Sequence, residues 1–233
     1  MFERRHHQRV AQLLLALDGH LLRANNCLFG GGTVIALRYG EYRESVDIDF
    51  MVSDLTGYRN LRQISRQDEN ILPFVREGIT PIVLDQPLRA DQYGIRAHAA
   101  VSGAQIKFEV VLEGRIELEQ PGADDTVCGI ATLTPLDMAA SKLLANSDRW
   151  LEASVFSRDV IDLAMMELPL PTLRQAVAKA KQAYGDAILA DLEKAIVRLT
   201  EQNGLLDRSI NAMAINVPKA VLWQNLHNLK RLL

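Results

Sequence analysis

Residues 27–52 combine three features that strongly limit the folds open to this chain. A short apolar run ends in the glycines of residues 30–32, and a short helix-forming segment follows. In residues 45–52, Asp47 and Asp49 alternate with apolar residues, which predicts a strand with one apolar and one acidic face. A strand, a glycine turn, a short helix and a second strand in succession indicate the beginning of an α+β core.

The rest of the sequence divides into a mixed region and a helical region. The first part contains an amphipathic helix at 3–24, a broken helical stretch at 55–77 and β-like segments at 79–84, 90–101 and 105–112. Thr134 and Pro135 then begin a helix, and the pattern stays helical to the end except for a break at residues 168–171. We therefore expect a mixed β-sheet flanked by helices over residues 1–133, followed by a helical C-terminal region over residues 134–233.

Composition favours a soluble globular protein. The 233 residues are 48% hydrophobic, which is enough for a substantial core, and the net charge of −3 does not suggest a nucleic-acid-binding surface. The sequence has neither an apolar run long enough to span a membrane nor the apolar core of a secretory signal at its N-terminus. Cys27 and Cys128 fit no metal-ligand spacing, and we expect both to be free thiols of a cytoplasmic protein.

The alternating aspartates are candidate ligands of a divalent metal ion. On one face of a strand, Asp47 and Asp49 lie roughly 7 Å apart, and two like charges at that distance are best tolerated with a cation beside them. Mg²⁺ prefers oxygen ligands and leaves positions for substrate phosphates. Glu109 is the best candidate for a third carboxylate from a neighbouring strand, and Glu113 is the second. A half-exposed strand with a solvated acidic face is the alternative.

The glycine turn is a candidate phosphate site, and it lies only 14 residues before the acidic pair, counted from Thr33 to Asp47. Backbone N–H groups can approach an anion closely at glycines, and the start of a helix favours negative charge. A simple tight turn is the alternative, since the segment lacks the ending of a P-loop and any full dinucleotide-binding fingerprint. Together, the turn and the acidic strand are more specific than either alone.

The turn and the segment 43–50 closely resemble the signature of polymerase-beta-like nucleotidyltransferases, in particular the AbiEii/AbiGii toxin family of abortive-infection systems. The resemblance implies that the turn holds a nucleoside triphosphate, through Gly31, Gly32 and Thr33. It implies that Asp47 and Asp49 hold the metal ions, with Glu109 completing the site or acting as base. Arg43 matches an arginine found before the acidic strand and is assigned to nucleotide binding. A surface arginine beside Glu41 or Glu44 is the alternative for Arg43.

The resemblance extends to the helical region. Lys142 matches a lysine on a downstream helix and is assigned to nucleotide binding, and Arg149 falls on nearly the same helix face. Asp159 matches an acid that can orient the lysine or help to activate the acceptor, which makes it a candidate catalytic residue. An ordinary i,i+4 ion pair between Arg158 and Asp162 is the structural alternative for this segment.

The implied reaction transfers a nucleoside monophosphate from an NTP to an acceptor and releases pyrophosphate. The implied cofactor is Mg²⁺, as one or two ions, with Mn²⁺ as a substitute. Three classes of acceptor stay open: RNA such as tRNA, a protein, or a small molecule. The resemblance also implies an antitoxin protein as partner and no membrane. A degenerate member that binds nucleotide without catalysis is the alternative, since the family more often has Asp where this chain offers Glu109.

Overall fold

The structure is a computed structural model that describes residues 2–67, 70–79 and 87–233. Apart from Ile79, the predicted β-like segment at residues 79–84 lies outside the described residues. The described ranges hold a five-stranded mixed sheet, a two-stranded sheet and ten α-helices, which confirms the predicted α+β class. Contacts divide the chain into two compact units, Met1–Leu37 with Ser45–Thr134, and Arg38–Glu44 with Pro135–Leu233. The division into domains at residues 133 and 134 stays a prediction.

The first unit is built around the five-stranded sheet. Its elements are α1 (Arg5–Ala16), α2 (Gly19–Ala24), β1 (Leu28–Gly30), α3 (Gly31–Arg38, which ends one residue beyond the unit), β2 (Ile48–Val52), α4 (Leu55–Ile64), β3 (Arg89–Ala90), β4 (Gly94–Val101), β5 (Ala104–Leu112), β6 (Thr126–Val127) and β7 (Ile130–Ala131). The strand order in the sheet is β1-β2-β5-β4-β3, and β6 pairs with β7 separately. Only the β2–β5 pairing is parallel among the described strands. The two strands predicted to carry the acidic residues are therefore direct neighbours.

Alternation along β2 and β5 separates a buried face from a partly exposed one. Phe50 of β2 packs between Phe29 and Phe108, with ring centroids 5.7 and 5.5 Å apart. All three rings are fully buried, so this face of the sheet lies in the core. Because successive side chains alternate between the two faces, Asp49 and Glu109 lie on the other, half-buried face. This is the alternation that the sequence predicts.

Several boundaries differ from the sequence prediction, and two of them lie at α2 and β2. The single helix predicted over residues 3–24 is two helices, because the Asp18 carboxylate caps α2 by accepting hydrogen bonds from the N–H groups of His20 and Leu21, both at 3.0 Å. The strand predicted from Ser45 begins only at Ile48, and Gly30, the last residue of β1, pairs with Asp49. Asp47 therefore lies just before β2 and outside its ladder.

The second unit is helical, as predicted. Its helices are α5 (Pro135–Arg149), α6 (Arg158–Met165), α7 (Leu170–Tyr184), α8 (Ala187–Glu201), α9 (Leu205–Ala212) and α10 (Lys219–Leu229). The break predicted at residues 168–171 is the connection between α6 and α7. Of the helices in the described ranges, none is long and apolar enough to cross a membrane.

The segment Arg38–Glu44 belongs to the second unit although it precedes β2 in the chain. Tyr42 O accepts a hydrogen bond from Asn216 N, and Glu44 N donates to Met213 O, both at 3.0 Å. These backbone hydrogen bonds hold the segment against the region that follows α9. Arg43 therefore sits within the helical unit.

Candidate active site

In the first unit, the glycine turn and the acidic strand are in direct contact. Gly31 is the first residue of α3 and has a φ of +72°, which suits glycine. A Cβ atom built on Gly31 would lie 2.5 Å from Asp49 Oδ2 and 2.9 Å from Asp49 Cβ. The absence of a side chain at Gly31 is therefore what lets the Asp49 carboxylate lie against the start of the helix. The first N–H groups of a helix have no intrahelical acceptor, and the start of a helix favours a negative charge such as this carboxylate.

The predicted third carboxylate lies beside Asp49 in the sheet. In the parallel pairing of β2 and β5, Asp49 is the register partner of Glu109. Among the described residues, however, no group of three or more His, Cys, Asp or Glu side chains is arranged to hold a metal ion. The fit to Mg²⁺ therefore rests on the oxygen chemistry of Asp47 and Asp49, since this ion is commonly bound by one or two carboxylates together with substrate phosphates. The metal-binding roles stay predictions.

Glu109 is paired with two cations. Arg96 of β4 donates from Nε to Glu109 Oε1 at 2.7 Å, and Lys107 pairs with Oε2. Burial lowers the pKa of Lys107, but Glu109, Asp49 and Asp47 outweigh burial and raise the pKa overall. Lys107 therefore lies in the field of all three predicted acidic site residues. Glu109 can bind a metal ion only if it exchanges these partners.

Glu113, the second candidate for the third acid, faces elsewhere. It is 3% exposed, and Oε1 accepts hydrogen bonds from the backbone N and from Nε of Arg115, both at 2.9 Å. Its other oxygen pairs with Arg115 Nη2 at 2.6 Å. This local carboxylate–guanidinium pair satisfies Glu113 within its own loop.

Thr33 is buried and stabilises the turn through its side-chain hydroxyl. It is 1% exposed, and its hydroxyl shares a hydrogen bond of 2.8 Å with the hydroxyl of Ser45. His7 Nε2 in turn accepts a hydrogen bond from Ser45 N at 3.2 Å. The Thr33 hydroxyl thus ties the first turn of α3 to the segment that leads into β2, while Gly31 and Gly32 remain half-buried.

In the second unit, Lys142 is held between two carboxylates of α6. Its Nζ lies 3.0 Å from Asp159 Oδ1 and 2.7 Å from Asp162 Oδ2. All three side chains are buried. The resemblance predicted an acid that orients the lysine, and Asp159 has the contact that this role requires.

Arg149 adds a second cation to Asp159. Its Nε and Nη2 donate to the two carboxylate oxygens of Asp159 at 2.7 and 2.9 Å. Burial raises the pKa of Asp159, but Lys142 and Arg149 outweigh it and hold the pKa well below the usual range. Arg149 keeps 30% of its side chain exposed, whereas Lys142 keeps 6%. Arg149 is therefore the more accessible of the two cations bound to Asp159.

Arg43 is buried rather than at the surface. Its side chain is 5% exposed and forms a bidentate pair with Asp162, from Nε at 2.6 Å and from Nη2 at 2.9 Å. The hydroxyl of Tyr42 also donates to Asp162. The surface alternative for Arg43 is thus wrong, because the carboxylate of α6 provides a buried partner. The i,i+4 alternative for Asp162 is also wrong, since its cationic partners are Arg43 and Lys142 instead of Arg158.

Sequence reasoning did not identify several residues of these two groups. It missed Arg96, which meets Glu109 only through the register of β4 with β5, and Tyr42, which meets Asp162 only in the fold. The strand pattern does place Lys107 on the face of Glu109, because residues two apart on a strand share a face. Asp162 matches the second acid of the family's helical motif and is interpreted as structural from the sequence. Its partners Arg43 and Lys142 could not be predicted, because long-range partners leave no local sequence signal.

A comparison with protein families identifies the chain. The sequence model of the family described as "Nucleotidyl transferase AbiEii toxin, Type IV TA system" matches residues 12–222. The chain belongs to this family. It is therefore a nucleotidyltransferase of the AbiEii toxin family, as the motifs predicted, and Asp47, Asp49, Lys142 and Asp159 all lie in the matched range.

Solved structures and curated proteins add little to this assignment. A "putative nucleotidyltransferase" from H. pylori is 14% identical, with 97% of this chain and 94% of that chain covered and a TM-score of 0.38. JHP933 from Helicobacter pylori is 13% identical, with 99% and 97% covered and a TM-score of 0.37. No curated protein sequence matches the chain.

Proposed function

We propose that this AbiEii-family chain transfers a nucleoside monophosphate from an NTP to an acceptor in a Mg²⁺-dependent reaction that releases pyrophosphate. The observation that carries the proposal is the packing of the Asp49 carboxylate against Gly31 at the first turn of α3. A metal-binding acid and a helix start that favours phosphate are thereby brought together, as an Mg·NTP complex requires. Mn²⁺ has the same preference for oxygen ligands and is proposed as a substitute.

The first unit is proposed to bind the reactive end of the NTP. Asp47 and Asp49 hold the metal, and the backbone N–H groups of Gly31, Gly32 and Thr33 receive phosphate oxygens. A Mg²⁺ ion held by these two carboxylates would supply charge neutralisation and polarisation at the reacting phosphate. Glu109 completes the site or acts as base once Lys107 and Arg96 release it. As in phosphoryl transfer generally, positioning and charge neutralisation supply most of the catalysis.

Lys142 is proposed to bind the nucleotide through its phosphates, and Asp159 is proposed as the acid that orients Lys142. Lysine is a compact charge suited to phosphate, and a carboxylate partner holds it in a fixed direction. A direct contact between Arg43 and the nucleotide, as the resemblance implies, would require Arg43 to leave its buried bidentate pair with Asp162.

Three acceptor classes stay open: RNA such as tRNA, a protein and a small molecule. Family membership favours an antitoxin protein as a partner, and the cytoplasm, which supplies NTPs, is the proposed compartment. A nucleotide-binding module without catalysis is the second candidate function, and the specific observation that favours it is the pairing of Glu109 with Arg96 and Lys107.

The test is NTP-dependent labelling by purified protein in the presence of total RNA or cell lysate. Asp47→Asn and Asp49→Asn are expected to reduce labelling by roughly 100-fold or more, because each removes a charge on which transition-state stabilisation depends. Glu117→Gln, at an exposed acid of the same unit, is the control and should label as wild type does. Equal labelling by wild type and both Asp variants would contradict the proposal. Mg·NTP binding without transfer to any fraction would favour the non-catalytic module.

A further inference from the structure

All three guanidinium nitrogens of Arg43 donate hydrogen bonds inside the second unit. Nε and Nη2 donate to the two oxygens of Asp162, and Nη1 donates to the carbonyl oxygen of Glu44 at 2.9 Å. The residue as a whole is only 4% exposed. A direct contact between Arg43 and a phosphate would require breaking a buried, bidentate, charge-assisted pair. An effect of Arg43 on the reaction therefore has to pass through Asp162.

Asp162 joins Arg43 to the lysine of the proposed site. It is fully buried and accepts from Tyr42 and Arg43, while its Oδ2 lies 2.7 Å from Lys142 Nζ. Lys142 Nζ also lies 3.0 Å from Asp159 Oδ1. A lysine ammonium has three donors in a tetrahedral arrangement, so two fixed carboxylates determine the direction of the third N–H. Asp162 is thus one of the two groups that set where Lys142 can donate.

We propose that Asp162 is a positioning residue for Lys142, and that Arg43 acts on nucleotidyl transfer through Asp162 and not by contacting the nucleotide. The inference rests on the proposed function, in which Lys142 contacts the triphosphate. It assigns Arg43 a role different from the one that the sequence resemblance implies.

Charge balance explains why Arg43 matters to Lys142. With Arg43 in place, Asp162 shares its charge between a guanidinium and the ammonium. Without Arg43, Lys142 is the only cation on Asp162 and is drawn toward it, away from Asp159. Without Asp162, Lys142 is left with Asp159, which Arg149 already pairs with, and its flexible side chain loses one of its two anchors. Either change misdirects the third N–H.

The test compares Arg43→Met and Asp162→Asn, alone and combined, by kcat and KM for the NTP in nucleotidyl transfer. Each single variant is expected to lose roughly 10- to 100-fold in kcat/KM, because a displacement of about 1 Å in a positioned group costs up to that much. Arg43→Met is expected to add nothing in the Asp162→Asn background. A further loss of full size in that background would overturn the inference, since it would mean that Arg43 contacts the nucleotide directly. If Arg43→Met folds poorly, Arg43→Lys replaces it in the comparison. Arg43→Lys keeps the charge but loses the bidentate contact, so an intermediate loss in kcat/KM is expected.

A matched control separates positioning from a purely structural role. Lys179 pairs with the fully buried Asp137 in the first turn of α5, the helix that also carries Lys142. Lys179→Met therefore breaks a buried ion pair of α5 that involves neither Arg43 nor Asp162. It should lower the melting temperature and leave kcat and KM unchanged. If Arg43→Met does the same, Arg43 is structural and the inference fails.

Lysine-ammonium NMR provides a readout that does not need activity. A buried, doubly paired ammonium should give a slowly exchanging signal, assigned to Lys142 by its absence in Lys142→Met. That signal should shift or disappear in Arg43→Met and Asp162→Asn and stay unchanged in Lys179→Met. An unchanged Lys142 signal in both Arg43→Met and Asp162→Asn would overturn the inference. Absence of transfer and of NTP binding in the wild type would instead overturn the proposed function, so the two failures are distinguishable.

Discussion

Replacing Gly31 with alanine should remove activity, because the new side chain would displace the Asp49 carboxylate. The new Cβ would lie 2.5 Å from Asp49 Oδ2, and ordinary van der Waals contact begins at 3.4 Å, so the carboxylate would have to retreat by about 0.9 Å. A displacement of about 1 Å in a reacting or metal-binding group can cost roughly 100-fold in rate, which is about 2.7 kcal/mol of transition-state stabilisation.

The same substitution carries a separate cost to stability. Gly31 has a φ of +72°, and a residue with a side chain at such a φ destabilises the fold by about 1–2 kcal/mol. Gly103, in the turn between β4 and β5, has a φ of +78°, and a Cβ atom added there would meet no other atom within 4 Å. Gly103→Ala therefore pays the same backbone cost without a steric clash. It is the matched control within the same unit.

The assay measures both effects on both variants. Each should lower the melting temperature by about 2–8 °C, the shift expected for about 1–2 kcal/mol in a chain of this size. Only Gly31→Ala should lose NTP-dependent labelling by roughly 100-fold. Two results would contradict this prediction: labelling by Gly31→Ala at more than half the wild-type rate, or a loss of labelling in Gly103→Ala equal to that in Gly31→Ala. The first would mean that the place of Asp49 does not matter, and the second that backbone strain alone explains the loss.

Two further predictions concern charge. Lys107→Met removes a cation from the field of Asp47, Asp49 and Glu109. The Mn²⁺ affinity measured by calorimetry should therefore rise by roughly two- to fivefold, which corresponds to the free energy of a partly exposed ion pair. An unchanged affinity would contradict the proposed position of the metal. The pKa values of Asp159 and Asp162 are lowered in the folded protein. Their contribution to stability is therefore complete above the unfolded pKa of about 3.9 and is lost as the pH falls below it. Denaturant unfolding between pH 6 and 2 should show this loss of stability, and the free energy of unfolding of Asp159→Asn should depend less steeply on pH. An equally steep dependence in that variant would contradict the contribution of Asp159.

The part of the fold that the sequence predicted is the part encoded by local patterns. Alternation along residues 45–52 and 105–112 predicted which face of β2 and of β5 is buried, and the proline at 135 predicted the start of α5. The pairing of β2 with β5, which puts Asp49 beside Glu109, depends on a parallel crossover whose register no local pattern encodes. The same holds for Arg96, because β4 brings it to Glu109 through pairing alone.

The sequence indicates the residue types of the candidate site, but it does not indicate most of their contacts. Glycines before an acidic strand indicated phosphate and metal chemistry, and Lys142 with Asp159 indicated an oriented lysine. What the sequence could not indicate is that Arg43, only four residues before Asp47, packs with the helical unit and pairs with a residue more than 100 positions later. Such a pair forms because a buried guanidinium needs a carboxylate with matching geometry, and only the fold determines which one is near.

The net charge of the acidic group in the first unit gives a physical reason for the chemistry proposed there. Asp47, Asp49 and Glu109 carry three negative charges against the two cations Lys107 and Arg96, and Arg96 is also shared with Asp91. An acidic excess of this kind is relieved by an added cation, which is the condition for metal binding. The cluster in the helical unit differs, because Asp148 and Glu152 act on Arg149 in addition to Asp159. Its cations Arg43, Lys142 and Arg149 therefore do not exceed the carboxylates around them. The proposed role of Lys142 rests instead on the direction in which its two carboxylate partners hold it.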